Sequence, residues 1–353
     1  MKKKINLTEL VREHILNLKP YSSARDEYEG KVGIFLDANE NPLGSVGGGH
    51  FNRYPDPLQR EVKEKLASIK KVDPAQIFLG NGSDEAIDLL FRIFCEPRKD
   101  HVMLLPPTYG MYKVSADINL VSTVEIPLRD DFQLDTEEIV SSIMPGTKII
   151  FICSPNNPTG NLMRKQSLEL ILQQASGLVV VDEAYIDFAE GESVLPLLKE
   201  YENLVVLQTF SKAWGLANLR LGMAFAHPDI IKLFNKVKPP YNVNGKTQEL
   251  ALGALGKEDQ KKEMVQTILT QREVMEKELL ELPMVEKTFP THANFILVKV
   301  DKPNELYNIL IDQQIIVRNR SRVTLCEGCL RITIGTEEEN QSLIKALKAL
   351  QTA

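Results

Sequence analysis

The sequence contains few residues of the types that mark metal, redox or membrane proteins. Among its 353 residues there are 4 cysteines, 5 histidines and 1 tryptophan, and no apolar run approaches the roughly 20 residues that span a bilayer. Cys326 and Cys329 have the spacing of a metal or redox pair, but no second pair and no histidine cluster accompanies them. We therefore favour reduced thiols without a special role, and we predict no metal site and no membrane contact.

An excess of positive charge is also lacking. The 48 acidic residues outnumber the 42 lysines and arginines, so the formal net charge is -6, whereas nucleic-acid-binding proteins normally carry a basic footprint. We predict no nucleic-acid partner. The lysines at positions 2–4 precede the charged residues Glu9, Arg12 and Glu13 rather than an apolar stretch, which is unlike a secretory signal, so we expect the protein in the cytoplasm. The Gly-x-Ser-x-Gly motif of many hydrolases is absent as well.

Short apolar runs alternate with helical patterns from about residue 58 to residue 240. This alternation is typical of βαβ units, so we predict an α/β fold with a mainly parallel sheet flanked by helices. The predicted strands are Ile77–Leu79, Val102–Leu105, Ser122–Glu125, Lys148–Cys153, Leu178–Asp182, Leu204–Thr209 and Gly222–Ala226. The predicted helices are Leu58–Ile69, Asp84–Phe94, Lys165–Ala175 and Pro228–Lys236.

The length of the chain suggests two domains. We predict an N-terminal arm with a small-domain segment in residues 1–45, a large domain in 46–262 and a small α+β domain in 263–353. The arm should contain an amphipathic helix near Leu7–Leu18 and pack with the small domain, and a charged, periodic stretch over about 257–282 predicts a linking helix. The predicted small-domain elements are Phe295–Val300, Asn304–Gln313, Ile315–Arg318, Leu330–Ile334 and a final helix from Glu337.

Three residues of chemical interest follow two of the predicted strands. Asp182 and Tyr185 come at the end of one buried run, and Lys212 comes just after another. Ligands bind at the carboxyl ends of strands in open α/β sheets, so these side chains should converge on one crevice. An amine nucleophile, a carboxylate and a phenol together suit the chemistry of pyridoxal phosphate (PLP). Taken singly, Lys212 could be a surface lysine and Asp182 a cap of the following segment.

A candidate phosphate cradle follows the strand that ends at Leu79. The segment Gly80-Asn81-Gly82-Ser83-Asp84 runs through two glycines into a helix, whose first backbone N–H groups and dipole favour an anion. Ser83 or Asp84 could instead be a plain N-cap, because the full Gly-x-Gly-x-x-Gly pattern is absent. Arg220 could bind the phosphate in a fork or pair with a carboxylate.

Two proline-containing loops follow other predicted strands. The pair Pro106-Pro107 forces an irregular turn that would present Tyr109 at a strand end, where its ring could stack on a cofactor or belong to the core. Asn157 lies in the loop from Ser154 to Gly160, where its amide could donate to a ring oxygen or merely make the turn. Together the loops supply different parts of one cofactor site.

These motifs resemble those of the fold-type I PLP-dependent aminotransferases over essentially the whole chain. Within that family the resemblance is to the branch that acts on histidinol phosphate. It rests on Leu36-Asp37-Ala38-Asn39-Glu40-Asn41-Pro42, Arg53-Tyr54-Pro55-Asp56, Ser154 to Gly160, Asp182-Glu183-Ala184-Tyr185, Ser211-Lys212-Ala213 and Gly328-Cys329-Leu330-Arg331-Ile332-Thr333. The resemblance implies PLP-dependent transamination between glutamate/2-oxoglutarate and histidinol phosphate/imidazole acetol phosphate in histidine biosynthesis.

The resemblance also implies roles around the cofactor. Lys212 would carry PLP and shuttle the substrate proton, with Asp182 paired to the pyridine nitrogen. Asn157 and Tyr185 would bond the ring hydroxyl, and Tyr109 would stack on the ring. The residues implied at the phosphate are Ser83, Asp84, Thr209, Ser211 and Arg220. The resemblance further implies a homodimer with shared active sites, in which Tyr54 reaches the cofactor of the partner subunit.

The implied substrates are glutamate and a phosphorylated imidazole amine, which share one pocket. Arg331 matches the family arginine that holds an anion on either substrate, since a guanidinium fork suits carboxylate and phosphate alike. Arg318 matches a further substrate contact. Arg320 and Arg322 could add positive potential or face solvent, and we favour solvent. Two more substrate contacts are implied: Tyr21, which would arrive on the N-terminal arm as a lid, and Asn39.

Other functions remain open on the sequence alone. The near alternatives are another fold-type I enzyme, either an aromatic amino acid aminotransferase or a phospho-amino-acid decarboxylase. A more distant alternative is a PLP-sensing regulator without enzymatic activity. Such a regulator should carry an added basic DNA-binding helix-turn-helix, and this acidic chain has only a short arm before its first predicted strand.

Overall fold

The structure is a computed structural model that describes residues 3–21 and 33–350. Its larger sheet has seven strands in the order β1-β7-β6-β5-β4-β2-β3. All neighbouring strands are parallel except β7, which runs antiparallel to both β1 and β6. The predicted mainly parallel sheet is therefore confirmed. The strands are β1 Ile77–Asn81, β2 His101–Leu104, β3 Ser122–Glu125, β4 Thr147–Cys153, β5 Leu178–Asp182, β6 Leu204–Thr209 and β7 Leu221–Ala226.

Helices cover both faces of this sheet, which explains the nearly continuous apolar sequence of its central strands. Alternate residues of β5 face opposite ways: Val179 and Val181 belong to one buried cluster, and Leu178 and Val180 to the other. The helices of the first face are α3 Arg60–Lys70, α7 Lys165–Gln174 and α9 Gly245–Leu255. Those of the second are α4 Gly82–Phe94, α5 Met111–Ile118 and α8 Pro228–Val237.

The reversed direction of β7 matters for the site. It places the start of β7 at the edge where the parallel strands have their carboxyl ends, so Arg220 lies beside the turn that follows β1. The Gly82 N–H donates to the Arg220 carbonyl across 2.5 Å. Gly222 then passes so close to this turn that a Cβ built on it would lie 2.8 Å from the Gly82 carbonyl oxygen. Glycine is therefore required at position 222 by the close backbone approach.

A smaller antiparallel sheet has the strand order β10-β11-β9-β8. Its strands are β8 Val285–Thr288, β9 Phe295–Val300, β10 Arg318–Asn319 and β11 Cys329–Thr333. One buried cluster joins this sheet to the helices α10 Glu258–Leu280, α11 Pro303–Asp312 and α12 Glu337–Ala349. Arg318 and Arg331 are directly opposite each other on β10 and β11. The pairing thus brings two predicted substrate residues to one place.

The N-terminal segment differs from its prediction. Two short helices, α1 Leu7–Leu10 and α2 Glu13–Asn17, replace the single helix. Between them the Arg12 N–H donates to the Ile93 carbonyl at 3.0 Å, so the backbone bonds to α4 instead of continuing a helix. Leu10, Val11 and Ile15 are buried in the cluster that contains α4 and α8. The segment therefore packs on the large sheet and not, as predicted, on the smaller one.

Other differences concern short elements. The predicted strand Ile315–Arg318 overlaps the observed strand β10 only at Arg318, since residues 315–317 are not in a strand and Ile316 is 70% exposed. The sequence analysis also missed α5, α9, β8 and α6 Thr136–Ser141. The proposed boundary between residues 262 and 263 falls inside α10, and the division into domains stays a prediction. Within the described residues no helix combines the length and apolar composition that crossing a membrane requires.

Replacing Gly222 by alanine should destabilise the fold, because the new methyl group would overlap the backbone of Gly82 and Ser83. Overpacking of this kind costs about 1–3 kcal/mol, so thermal melting of G222A should occur well below that of the unmodified protein. The matched control is Gly253→Ala in α9, where nothing lies within 4 Å of the added Cβ. G253A should leave the melting temperature unchanged or raise it, since alanine is the better helix former. Equal melting of the two variants would contradict the close approach.

Candidate active site

A cleft with about 640 Å³ of open space lies at the carboxyl edge of the large sheet. It is closed by the turns after β1, β4, β5 and β6, by the loop after β2 and by the segment before β7. Every predicted cofactor residue except Tyr54 lines it: Ser83, Asp84, Tyr109, Asn157, Asp182, Tyr185, Thr209, Ser211, Lys212 and Arg220. The convergence expected from the strand ends is therefore present, and the individual roles remain to be argued.

Asp182 is the buried charge of the cleft. It ends β5 and is only 3% exposed. Its Oδ1 accepts a hydrogen bond from the Ala184 N–H at 3.0 Å, and its Oδ2 accepts one from the Tyr112 hydroxyl at 2.7 Å. Burial raises the pKa of Asp182 to about 6. In the described part of the chain no lysine, arginine or histidine forms an ion pair with it, so a cationic group bound in the cleft would stabilise the ionised carboxylate.

Tyr112 is a residue that the sequence analysis missed. It is fully buried in α5, where its ring stacks on Phe151 with the centroids 4.8 Å apart. A buried tyrosine hydroxyl needs a partner, and here that partner is Asp182. Burial, followed by the charge of Asp182, raises the pKa of Tyr112 well above its ordinary value, so the hydroxyl stays a donor. The helix was not predicted, and no local motif in the sequence connects positions 112 and 182.

Cys153 was also missed at this site. It is the last residue of β4, stands opposite Asp182 in the register of the parallel pair, and lines the cleft. Burial raises the pKa of its thiol far above the ordinary value, so it acts as a small apolar wall rather than as a nucleophile. Its position follows from pairing the two predicted strands, which was the signal available in the sequence.

Lys212 lies in the loop between β6 and β7 with its amine in the cleft. The Nζ atom is 5.5 Å from the centre of the Tyr185 ring. Desolvation by the surrounding protein, and secondarily the charge of Arg331, lower the pKa of this amine. Within residues 3–21 and 33–350 it makes no hydrogen bond or ion pair. A lysine that is partly desolvated and unpaired in this way is suited to act as a nucleophile or as a base.

The end of the cleft near α4 is built to hold an anion. Gly82 has φ +72° and opens α4, and the N–H groups of the first turn of a helix have no partner within it. Arg220 lies across this turn, with its Nη2 3.6 Å from Asp84 Oδ2. A Cβ on Gly82 would lie 2.8 Å from the same Nη2, so only glycine leaves this space open. The helix dipole and the guanidinium both favour negative charge here.

Hydroxyl groups complete this end of the cleft. The Thr209 hydroxyl donates to Ser211 Oγ at 3.0 Å and accepts from the Ser211 N–H at the same distance. On the opposite wall the Tyr109 hydroxyl donates to Asp84 Oδ1 at 3.2 Å. The Thr209 bonds fix the sharp turn after β6 that leads to Lys212. Arg220 of the anion-binding end and the amine of Lys212 therefore lie in the same loop between β6 and β7.

A chain of hydrogen bonds connects the cleft to the smaller sheet. Asn157 Nδ2 donates to the Tyr185 hydroxyl at 3.5 Å, and Arg331 Nη1 donates to Asn157 Oδ1. The Arg331 guanidinium also lies 5.0 Å above the Phe295 ring. Arg331 is thus fixed by groups from both sheets, and its orientation depends on the loop that carries Asn157.

Arg331 lines a second, wider cleft that opens beside the first. Lys212, Tyr185 and Asn157 line this cleft as well as the first. Three arginines from the smaller sheet and its flanking loop also line it: Arg318, Arg320 and Arg331. The expectation that Arg320 faces solvent is wrong, because its backbone N–H bonds to the Cys329 carbonyl and thereby continues the β10–β11 pairing into the cleft. Arg322, two residues further, is exposed as expected.

Three predicted residues do not join these clefts in the single chain. Tyr21, the residue predicted to arrive on the arm as a lid, is 77% exposed, and residues 22–32, which follow it, lie outside the described residues. Asn39 and Tyr54 line a different cleft, where Tyr54 stacks on Tyr241 with the ring centroids 4.4 Å apart. Their roles stay predictions.

The two closely spaced cysteines are both free and buried. Burial raises the pKa of Cys326 to about 12 and that of Cys329 to about 11. Thiols of this kind are protonated at neutral pH and are poor metal ligands or nucleophiles.

The residues of the cleft fit PLP. The open turn with Gly82 and Arg220 suits its phosphate, and Lys212 offers an amine for its aldehyde. Asp182 supplies the decisive observation: a buried carboxylate with only neutral donors in the chain suits a protonated pyridine nitrogen, which would supply the missing cation.

A family model, a sequence relative and a solved structure all show similarity to aminotransferases. Residues 35–347 match the family described as aminotransferase class I and II. The chain is 55% identical over 343 residues to a histidinol-phosphate aminotransferase from Cytophaga hutchinsonii, covering 97% of this chain and 99% of that protein. It resembles the crystal structure of the histidinol-phosphate aminotransferase from Clostridium acetobutylicum with a TM-score of 0.79 and 25% identity, over 86% of this chain and 91% of that one.

A further solved structure supports the fold. The histidinol-phosphate aminotransferase from Sinorhizobium meliloti, determined in complex with pyridoxal-5'-phosphate, is similar with a TM-score of 0.78 and 21% identity, over 96% of this chain and 98% of that one.

Replacing Asp182 by asparagine should stabilise the cofactor-free protein at alkaline pH. The folded pKa of about 6 lies above the ordinary 3.8, so the folded state holds this proton more tightly and loses stability as the pH rises from about 4 to 6. Above pH 6 the cost of the ionised group is on the order of 1–3 kcal/mol. D182N should therefore melt higher than the unmodified protein at pH 8, with a smaller difference at pH 5.

The control for this comparison is Asp130→Asn, which removes an exposed carboxylate. D130N should change stability by less than about 0.5 kcal/mol at either pH. If D182N melts below the unmodified protein at pH 8 in the absence of cofactor, burial does not set the energetics of Asp182.

Proposed function

The chain belongs to the class I and II aminotransferases, and from this we propose that it transfers an amino group between the pair glutamate/2-oxoglutarate and the pair histidinol phosphate/imidazole acetol phosphate in histidine biosynthesis, with PLP as its cofactor. The observation that carries the proposal is the junction of two clefts at Lys212. One cleft has the groups that suit the cofactor, and the other has an arginine cluster that suits an anionic substrate. The 55% identity to a histidinol-phosphate aminotransferase supports the choice of substrate.

When bound, PLP supplies an aldehyde that reacts with amines and a ring that withdraws electrons from the bonds of the amine carbon. The protein supplies the proton transfer. Lys212 Nζ, whose pKa is lowered by desolvation and by Arg331, accepts the proton from the substrate Cα and returns a proton at the end of the reaction. A base with a pKa nearer to neutrality than an exposed lysine is more often in the form that accepts a proton.

The role of Asp182 is to keep a fixed negative charge, not to transfer a proton. Its pKa of about 6 leaves the carboxylate ionised at neutral pH, and its partner Tyr112 is a donor at every physiological pH. The carboxylate is therefore negative and fixed in orientation before any ligand arrives, so little reorganisation is needed to stabilise a cationic ring nitrogen. Tyr112 is a positioning residue in this scheme, because it acts through Asp182.

Asn157 and Arg331 orient the two ligands with respect to each other. We assign the Asn157 amide and the Tyr185 hydroxyl to the ring hydroxyl of the cofactor, and Arg331 to a carboxylate or phosphate of the substrate. Because Arg331 bonds to Asn157, the anion-binding fork is held at a fixed place relative to the cofactor ring. Such positioning of two reactants is itself a large contribution to catalysis.

We further propose a homodimer with shared active sites. Residues 33–54 expose a series of large apolar side chains, and an exposed apolar surface of this extent usually marks an interface. The exposed residues are Ile34, Leu36, Leu43, Val46, Phe51 and Tyr54. In the dimer, Tyr54 would complete the phosphate end of the partner's cleft, which accounts for its distance from Lys212 in the single chain.

The cytoplasm is the proposed location. All four cysteines are free thiols, which is the usual state in a reducing compartment.

The proposed activity is tested with purified holoenzyme, histidinol phosphate and 2-oxoglutarate, with glutamate as the measured product. We expect glutamate formation with a kcat/KM at least about tenfold above that for phenylalanine, because a hydrogen-bonded charged group typically adds this much discrimination. The control is K212A, which should bind cofactor weakly and form no glutamate. Preferred transamination of phenylalanine would favour an aromatic aminotransferase, and release of CO2 from a phosphorylated amino acid would favour a decarboxylase.

A further inference from the structure

Arg320 occupies a place in the substrate cleft that its sequence position did not suggest. It follows β10 directly, and its N–H donates to the Cys329 carbonyl at 2.9 Å. The side chain lines the same cleft as Arg318, Arg331 and Lys212. Three arginines from neighbouring backbone segments therefore line the space in which the amino substrate must lie.

Among the described residues no carboxylate forms an ion pair with any of these three arginines. The side chain of Arg331 donates a hydrogen bond to the neutral Asn157. The Nε atoms of Arg320 and Arg331 are buried and have no hydrogen-bond partner in the described structure. Buried N–H groups without partners are costly. A bound anion that accepts hydrogen bonds from them would remove that cost.

The three guanidinium groups lie close enough together for their positive charges to repel each other. Desolvation, and then the charges of Arg331 and Arg318, lower the pKa of Arg320. Desolvation also lowers the pKa of Arg331, with Arg318 adding to the effect. A cluster of like charges that repel each other without a ligand is suited to an anion that carries more than one charge.

We propose that Arg320 is a specificity residue that binds the phosphate of the amino substrate together with Arg318 and Arg331, and so favours a phosphate dianion over a carboxylate. This inference rests on the proposed function. Arg331 alone can hold a carboxylate through its fork, as glutamate requires. A phosphate has one more oxygen and up to one more negative charge, so it can use a further guanidinium that a carboxylate leaves unoccupied.

The chain provides a matched control two residues away. Arg322 belongs to the same loop, carries the same charge and is exposed outside the cleft. Substitution of either arginine by glutamine changes the net charge of the protein by the same amount. A difference between R320Q and R322Q therefore reports the position of the guanidinium and not a change in the overall field.

The kinetic test compares the holoenzymes of the unmodified protein, R320Q and R322Q. R320Q should lose about 10- to 100-fold in kcat/KM for histidinol phosphate, mostly through KM, as expected for loss of a charge-assisted hydrogen bond. Its kcat/KM for glutamate should change by less than about threefold, since the carboxylate keeps Arg331. R322Q should match the unmodified protein on both substrates. Equal losses on both substrates in R320Q, or no loss on either, would overturn the inference.

A binding measurement separates this inference from the proposed function. Inorganic phosphate is titrated calorimetrically into the same holoenzymes, in which the phosphate end of the cofactor cleft is already filled. R320Q should bind it at least about fivefold more weakly than the unmodified protein, and R322Q equally well. If the unmodified enzyme fails to use histidinol phosphate, the proposed substrate is wrong, yet this titration still decides on Arg320. Unchanged phosphate affinity in R320Q would overturn the role of Arg320 whatever the substrate.

R320K covers the case in which R320Q does not fold. It keeps the charge and the aliphatic stem but loses the planar fork. Its affinity for inorganic phosphate and for histidinol phosphate should be lower than that of both the unmodified protein and R322Q. An R320K enzyme that equals the unmodified protein on both ligands would contradict a fork that binds phosphate.

Discussion

The carboxylate of Asp182 is buried at the end of a central strand and has no ion-pair partner among the described residues, and much of the site is arranged around this unpaired charge. The sheet desolvates it, the Tyr112 hydroxyl and the Ala184 N–H orient it, and its pKa of about 6 keeps it ionised near neutrality. Such a group lowers the stability of the empty protein. It becomes favourable when a ligand brings a positive charge to it, as a protonated pyridine ring does.

The large sheet supplies the geometry that makes this arrangement work. Parallel strands bring their carboxyl ends to one edge, and the reversed β7 adds its start to the same edge. The anion end, the buried carboxylate and the amine of Lys212 therefore come from separate segments of sequence and yet line one cleft. Close passage of Gly222 beside the Gly82 turn brings the start of β7, and with it Arg220, against the start of α4. The smaller sheet and its flanking loop contribute the arginines of the second cleft, and the Arg331–Asn157 bond joins the two halves.

The local sequence patterns predicted most of this arrangement. The residues that the sequence analysis missed or misplaced were missed for physical reasons. The central strands of the large sheet are buried and largely apolar, so their ends were found within one or two residues. The convergence of Asp182, Tyr185 and Lys212 followed from their places at the carboxyl ends of predicted strands. Tyr112 was missed because its importance lies in one contact with a residue 70 positions away. The side of β10 that faces the cleft depends on its pairing with β11, which the sequence does not specify, and Arg320 was therefore assigned to solvent. The N-terminal helices depend on contacts with α4 in the same way.

The central claim is that one amine, that of Lys212, carries the cofactor opposite Asp182. The most direct measurement is reduction of the holoenzyme with borohydride, followed by proteolysis and mass spectrometry of the cofactor-labelled peptide. The account predicts a single labelled peptide that contains Phe210, Ser211 and Lys212, with the label on the lysine. A label on any other lysine, or a holoenzyme that retains its cofactor after K212A replacement with an unchanged absorbance spectrum, would contradict it.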